Sequence, residues 1–591
     1  MTVTANLSSD PIPSRDVAQG ATGRLAELNL SGLLTAADVH VAVRLARLGE
    51  CEDVDVLTAV ALAVRAVRHG SVCFDLERAA DVLPDQPWPT ATSWTKVLLD
   101  SSLVRQPGSD EVTPLVLDGT LLYLDRYWLE EGQVCEDLMR REQQQPPGVA
   151  NLEQMLDQYF PDPSYADQRR AAQAACQRWT SVITGGPGTG KTTTIARLLG
   201  ALLTNDPHLR IALAAPTGRA AARLAQAIRQ ATDHPTFPPE YVTRLADLPA
   251  TTLHRLLGWN PLGGNRFRHD RSNRLPYDVI VVDETSMVSL TLMARLIEAI
   301  RPHTRLVLVG DADQLASVDA GAVLGDLVAG LGGADADQVS ELGPSRRFGP
   351  DINAFAQAIR EGDPDGALEV LHDSDAVQLI DLADLESVVL EHAVRLRELA
   401  SSGDVEATLR ALDQHRLLCA HREGPFGAGS WNRTVERLLA EREHRLAGLG
   451  TWYVGRPIIV TTNDYGLRLF NGDTAVVMPD PHRPGALAAI VDDGEYANGR
   501  RIAVARLSGV RSAHAMTVHR SQGSQVDQVS VLLPESDSRL LTRQMLYTAV
   551  TRATTTVRIV GSQEAVRAAI AVNAQRASGL SARLRAWDPG Q

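Results

Sequence analysis

The stretch that most constrains this 591-residue chain is Gly185 to Thr192, which reads GGPGTGKT. A G-x-x-x-x-G-K-[ST] loop joins a buried strand to a helix. Its backbone N–H groups close round a triphosphate, and the helix N-terminus faces the same anion. The flanks suit this: SVITGG reads as a short buried strand and TTTIARLLGALL as an apolar-faced helix. Gly185, Gly186, Pro187, Gly188, Thr189, Gly190, Lys191, Thr192 and Thr193 are therefore candidate nucleotide contacts. Composition sharpens the point, because the chain has two lysines, Lys96 and Lys191, against 56 arginines. A compact ammonium fits between β- and γ-phosphates where a planar guanidinium does not, which accounts for lysine persisting at position 191.

In VVDETSM, Asp283 and Glu284 end an apolar run, placing two carboxylates beside the phosphates. Asp283 is expected to hold Mg²⁺ together with the Thr192 hydroxyl, and Glu284 to orient and deprotonate the attacking water. Gln314, closing the next strand in RLVLVGDADQ, is placed for the γ-phosphate or that water. Charge on the departing phosphate needs arginines, and Arg347 in SRRF and Arg552 in LYTAVTRA are the candidates. Both lie outside the first run of strands, so nucleotide would sit between two units and its hydrolysis would alter their separation.

Three parts are expected. Residues 1–148 read as mostly helical, with apolar positions at helical spacing in Val39 to Leu48 and Asp55 to Gly70. Within them Leu115 to Tyr127 reads as a hairpin, and QQQPPG (Gln143 to Gly148) marks a boundary. In residues 149–348 short buried strands alternate with helices and end in polar residues, the pattern of a parallel sheet with ligands at its carboxyl edge. The basic stretch Gly263 to Asp278 reads as a hairpin (NRFRH against NRLPY) within an insertion at about 232–277. In residues 349–591, Arg416 to Ala420, Arg456 to Thr462, Asp527 to Pro534 and Thr555 to Gly561 predict a second parallel sheet. Evenly spaced short strands within about 465–512 predict an inserted β-barrel.

The net charge of −14 is unevenly shared. Residues 1–150 hold 22 acidic and 12 basic side chains, a net of −10, which favours a protein partner over a polyanion. No apolar run nears the ~20 residues of a membrane span, and Met1 to Asp16 has no export-signal character. Five scattered cysteines without a C-x-x-C suit reduced thiols, so a cytoplasmic location is expected.

Read in order, GGPGTGKTT, AAPTGRAA, TTLHRLL, VVDETSM, VGDADQL, SRRF, AMTVHRSQGS and LYTAVTRA resemble motifs I, Ia, Ib, II, III, IV, V and VI of superfamily 1 helicases. The wording is similar to the RecD family of RecBCD-type helicase–nuclease subunits. That resemblance implies an α/β fold with two RecA-like motor domains, a helical N-terminal domain and a small SH3-like barrel. It implies ATP and Mg²⁺ as cofactors, 5′→3′ travel on single-stranded DNA, and RecB-like and RecC-like partners that process DNA ends for recombinational repair. It gives Gln168 to the adenine edge. It gives Thr217, Gly218, Thr252, His254, Thr517 and His519 to the DNA backbone, and it makes Arg266 and Arg268 on the basic hairpin further DNA contacts. Gln525 stands where the family usually carries Glu, and Thr285 where Ala is common. Any nuclease would belong to a partner, since Lys96 has no carboxylate cluster around it. A stand-alone RecD-like helicase and a nucleotide-gated clamp that unwinds nothing remain the competing readings.

Overall fold

The computed structural model describes residues 16–587 apart from 85, 261–265, 334–337, 344, 346, 443–450, 465, 493–498, 536–537 and 575. Two parallel sheets form its centre. In the first, the strand order is Val339–Glu341, Thr180–Thr184, Arg305–Gly310, Val279–Val282, Ile211–Ala215 and Ala250–Thr252. Every neighbouring pair is parallel. Strands such as Thr180–Thr184 and Val279–Val282 are buried along their whole length, as a sheet covered on both faces requires. One face packs on helices Ala166–Gln177, Lys191–Asn205 and Gly218–Thr232. The other packs on Leu290–Ala299 and Val323–Leu331.

The second sheet runs Val377–Ile380, Ala553–Val560, Val526–Leu532, His415–Cys419 and Ala515–Thr517, again parallel throughout. Helices Pro350–Glu361 and Arg543–Val550 cover one face, and Leu382–Ser402 and Ala428–Arg442 the other.

Several expectations change. The Arg456 to Thr462 stretch is not in the second parallel sheet. Pro457–Val460 pairs antiparallel with Thr474–Pro479 and Val510–Ser512, so the inserted antiparallel sheet begins before residue 465. The expected insertion at 232–277 contains Ala250–Thr252, an edge strand of the first sheet. The basic stretch is not a free-standing hairpin. Among its described residues, 266–278, no strand forms. Arg268 and His269 donate backbone N–H bonds to Gly258 and Leu257, and Leu275 N–H bonds to Ala299. Leu275 is buried and Phe267 packs on the same core, so two apolar anchors pull the segment down.

The N-terminal region carries more than helices. The expected hairpin is present as Leu115–Asp118 and Leu121–Leu124, within a four-stranded sheet. Helix Asp125–Glu142 then packs on Leu290–Ala299 of the first parallel unit. The chain's end also departs from the expected division. Helix Leu580–Ala586 leaves the second sheet and packs on Val323–Leu331 and Asp125–Glu142. Glu131, fully buried there, accepts bonds from Ser578 Oγ at 2.7 Å, Gly579 N–H at 3.0 Å and Tyr123 OH at 3.1 Å.

Candidate nucleotide cleft

Strand Thr180–Thr184 delivers the glycine loop at the carboxyl edge of the first sheet, and helix Lys191–Asn205 leads away from it. The turn needs left-handed backbone at Gly188 (φ 85°) and Gly190 (φ 89°), which glycine adopts without steric cost. A Cβ at Gly188 would also lie 2.6 Å from the Cβ of Arg347, so the loop and the SRRF segment are in direct contact. The Lys191 ammonium donates to the Gly185 and Gly186 carbonyls at 2.6 and 2.9 Å.

Gln168 donates through Nε2 to the Thr189 carbonyl at 3.0 Å, while its buried Oε1 has no partner among the described residues. Beside it lies a cavity of about 280 Å³ lined by Phe160, Tyr165, Gln168, Thr193, Arg197 and Arg347. The Arg197 guanidinium stands 4.1 Å from the Tyr165 ring centroid, with buried Nε and Nη1 unpartnered among the described residues. A planar, donor- and acceptor-bearing base fits this stacked, half-satisfied pocket. The sequence reading found Gln168 and missed Tyr165 and Arg197. Tyr165 was within reach, three residues before Gln168, whereas nothing marks Arg197 among 56 arginines.

The two carboxylates sit at the end of Val279–Val282. Burial, then the neighbouring Glu284 charge, pushes the Asp283 carboxyl above its usual range, and Lys191 pulls the other way. A divalent cation would relieve this crowding of negative charge. Glu284 has left-handed backbone (φ 52°, ψ 41°), unusual for a residue with a long side chain. In the turn after strand Arg305–Gly310, Gln314 donates to Asp311 at 2.8 Å, and its buried Oε1 is unpartnered among the described residues, an acceptor available to a water.

The second sheet closes the cleft. Arg552 is buried, donates to the Thr548 carbonyl at 3.1 Å, and interacts electrostatically with Glu284 and Asp311. Burial lowers its proton affinity, an effect those carboxylates oppose. Arg347 feels Arg552, so both arginines approach the same site. Tyr547 OH bonds Asp311 at 3.2 Å, and a Cβ on Gly186 would lie 3.0 Å from it. Arg223 donates to the Gly523 carbonyl at 2.6 Å and to Gln525 Oε1 at 3.0 Å, occupying the position-525 amide. Tyr547, Asp311 and Arg223 escaped the sequence reading because only folding brings them together.

Thr217, Gly218, Thr252, His254, Thr517 and His519 lie at or just beyond the carboxyl ends of strands, whereas Arg266 and Arg268 do not. Thr217 and Thr252 follow adjacent, paired strands, and each caps a helix by accepting from Ala220 and Arg255 N–H. Gly218 lies against Phe470 of the inserted antiparallel unit, where a Cβ would be 3.2 Å from the Phe470 Cβ. The His254 ring lies 6.0 Å from both Trp259 and Phe267, and burial lowers its proton affinity. Thr517 opens the short helix bearing His519 and makes no side-chain cap. Arg266 and Arg268 are exposed. No helix among the described residues is long and apolar enough to cross a membrane.

Comparison with known proteins follows this division. Residues 31–123 match the RecBCD enzyme subunit RecD N-terminal domain, 168–320 an AAA domain, and 512–560 a UvrD-like helicase C-terminal domain. The chain is 54% identical to the RecBCD enzyme subunit RecD of Mycolicibacterium smegmatis, over 94% of this chain and 98% of that one. It is 32% identical to the ATP-dependent RecD2 DNA helicase of Deinococcus radiodurans, over 68% of this chain and 50% of that one. Among solved structures, the Pif1 helicase of Candida albicans aligns with 67% of this chain and 93% of its own at 15% identity, with a TM-score of 0.39. Matched along almost its whole length, this chain belongs to the RecD family.

Proposed function

We infer that the chain is an ATP-dependent, 5′→3′ DNA helicase motor and a subunit of a cytoplasmic RecBCD-type complex that processes DNA ends. The observation that carries this reading is the cleft itself. The phosphate loop and Glu284 lie on one sheet, whereas Arg552 and Tyr547 reach them from the other. Hydrolysis in such a cleft changes what holds two sheets together, which is how a motor differs from a simple hydrolase.

Roles follow from placement. Lys191 and the loop N–H groups hold the β- and γ-phosphates, and Gln168, Tyr165 and Arg197 hold the base. Thr192 and Asp283 would hold Mg²⁺, which supplies charge neutralisation between the phosphates. Glu284 takes the proton of the attacking water, whose other hydrogen Gln314 Oε1 accepts. Arg347 and Arg552 stabilise charge on the departing phosphoryl oxygens. Thr217, Gly218, Thr252, His254, Thr517 and His519 contact the strand through small polar groups that read no base. Arg266 and Arg268, both exposed, are surface DNA contacts in this reading.

Residues 1–148 dock RecB-like and RecC-like subunits. The match to a RecBCD subunit, 54% identical over 94% of this chain against 32% over 68% for the RecD2 helicase, favours this over the stand-alone reading. The test is copurification of native partners, together with DNA-stimulated ATPase of the full chain and of Lys191→Arg. Stable partners, and an Arg variant at least about 100-fold slower, are expected. A solitary native protein, or near wild-type turnover in the variant, refutes the corresponding part.

A further inference from the structure

Among the eight tryptophans, all within the described residues, Trp259 alone is exposed, at 37%. The turn that puts it there is built residue by residue. Helix Leu253–Leu256 ends at Leu257, and Gly258 follows with left-handed backbone (φ 72°). Gly258 N–H donates to the Arg255 carbonyl at 3.1 Å and Trp259 N–H to the His254 carbonyl at 2.8 Å. These are the paired bonds of a Schellman turn, in which the residue after the glycine packs back on the helix it ends. The Trp259 and His254 rings meet accordingly, 6.0 Å apart and at 83° to one another. An edge-to-face contact covers at most one face of the indole, so His254 leaves at least one face of Trp259 free of itself. The turn is also clamped from outside. Arg268 N–H bonds to the Gly258 carbonyl at 3.2 Å, and a Cβ on Gly258 would lie 2.7 Å from the Arg268 Cβ.

A single exposed apolar side chain is ordinary, but Trp259 does not stand singly. The Phe267 ring lies 6.0 Å from the other partner of the contact, His254, so three rings gather at the end of one short helix. The same stretch carries Arg255, Arg266 and Arg268, all exposed and, among the described residues, without an ion pair within 4.0 Å. Arg271 differs, being answered by Asp137 at 2.6 Å. Asp270, the carboxylate next along the chain, already accepts from Ser272 and Asn273. Thr252 opens the helix, at the edge of the first sheet. Open aromatic surface among unpaired cations, with small polar groups alongside, is the composition by which proteins hold a single strand: cations meet the phosphates and bases lie on the rings.

We propose that the open indole face of Trp259 is a stacking platform for a base of the single strand whose backbone Thr252 and His254 contact. This rests on the DNA-motor reading above and adds a contact that is neither to phosphate nor to a base edge. Stacking suits a chain that must pass along any sequence, since every base has a π-face and none is selected. Gly258 sets the platform, because a side chain there would meet both the left-handed backbone and the Arg268 Cβ and would turn the ring away. An apolar surface of a partner subunit is the competing occupant. The unpaired arginines beside Trp259 favour the strand, and the test separates the two.

Binding of an oligothymidylate of roughly 15 nucleotides to the full chain is measured over a salt series, beside the same oligomer with abasic residues throughout. The proteins are wild type, Trp259→Phe, which keeps an aromatic face, and Trp259→Leu, which keeps an apolar contact with His254 but offers no ring. Loss of one stacked base is expected to weaken thymidylate binding roughly 5- to 100-fold in the Leu variant. The Phe variant should stay within about threefold of wild type. The log–log salt slope should not move, because stacking releases no counterions, and all three proteins should hold the abasic oligomer alike. A Leu variant that binds the thymidylate as tightly as wild type, or a Phe variant as weak as Leu, overturns the platform while leaving the motor standing. Equal loss on both oligomers overturns it too, since Trp259 then acts only on the backbone contacts. Unchanged DNA binding with lost partner copurification overturns it in favour of the protein occupant. A wild-type chain that neither binds single strands nor hydrolyses ATP in response to them overturns the reading on which the platform rests.

Discussion

Replacing Glu284 by aspartate removes one methylene and moves the carboxylate back by more than about 1 Å. In many sites a backbone shift would absorb that change. Here the backbone is left-handed (φ 52°, ψ 41°) and its N–H donates to Asp283 at 2.9 Å, so Glu284 is held at both ends of a strained turn. Left-handed geometry already costs roughly 1–2 kcal/mol, and further distortion adds to it. A displacement of about 1 Å at a reacting group costs on the order of 100-fold in rate. Glu284→Asp is therefore expected to hydrolyse ATP roughly 100-fold more slowly, and Glu284→Gln some 10²–10⁴-fold more slowly, or about 3–5 kcal/mol of barrier. Nucleotide affinity should hold in both, because the contacts proposed for binding are the loop, Lys191, Thr192 and the base pocket. Single-turnover hydrolysis with saturating single-stranded DNA measures the first quantity, and equilibrium titration with a fluorescent ATP analogue the second. An Asp variant within about threefold of wild type would refute the rigid-base argument, and loss of nucleotide binding in the Gln variant would refute the role itself.

Two pH-dependent stabilities follow from buried groups. Asp326, on the helix that meets the chain's end, is pushed up to about 7 by burial. Its folded state thus binds more protons than the unfolded state between about pH 4 and 7, and its contribution to stability falls as pH rises through that window. Asp326→Asn should be more stable than wild type at pH 8 by roughly 1–2 kcal/mol, after discounting for partial solvation, and by clearly less at pH 5; a gap independent of pH would refute this. In the second unit burial lowers His392 to about 4, His514 to about 3 and His415 well below its ordinary value, so all three are neutral when folded. The unfolded chain protonates them near pH 6.5, so stability is lost as pH falls from there towards 4. His392→Gln should flatten the loss by about 1.4 kcal/mol per pH unit, and an unchanged slope in thermal melts at pH 6 and 5 would show that His392 is protonated in the fold.

What the sequence made legible was whatever a local pattern dictates. Glycines at fixed offsets, carboxylates ending an apolar strand and the strand–helix alternation each reflect a neighbourhood of a few residues, and the four inner strands of the first sheet follow from them, whereas its edge strands Ala250–Thr252 and Val339–Glu341 do not. Pro457–Val460 was misread because PIIV is apolar without alternation, which suits a parallel core strand equally well. It is buried on both faces for another reason. Ile458 and Val460 face the core of the inserted sheet, while Ile459 packs on the other side with Met516 and Val518 in the core of the second parallel sheet. The basic stretch 263–278 was read by its charges, while its described residues, 266–278, are anchored by the apolar Phe267 and Leu275. Leu580 and Leu584, spaced i and i+4, were in view but had no partner in sequence to say where they bury.

The residues that no pattern revealed are those that connect the sheets, and they share one segment. Asp311 accepts from Tyr547, the next turn carries Gln314, and Leu315 is held from both directions. Its N–H donates to Thr548 Oγ1 at 2.8 Å, and its carbonyl accepts from Gln522 at 2.7 Å. Gln522 lies three residues beyond His519, and Thr548 four before Arg552. Thus the loop that carries Gln314 is hydrogen-bonded both to the proposed DNA-contact segment and to helix Arg543–Val550, which leads to Arg552. A movement of about 1 Å in that loop cannot leave those segments in place without breaking buried bonds, at roughly 1–3 kcal/mol for each group left unpaired. Coupling between hydrolysis and the strand therefore needs no long chain of intermediaries. It passes through the backbone of one residue, Leu315, which is why it is invisible in a side-chain motif.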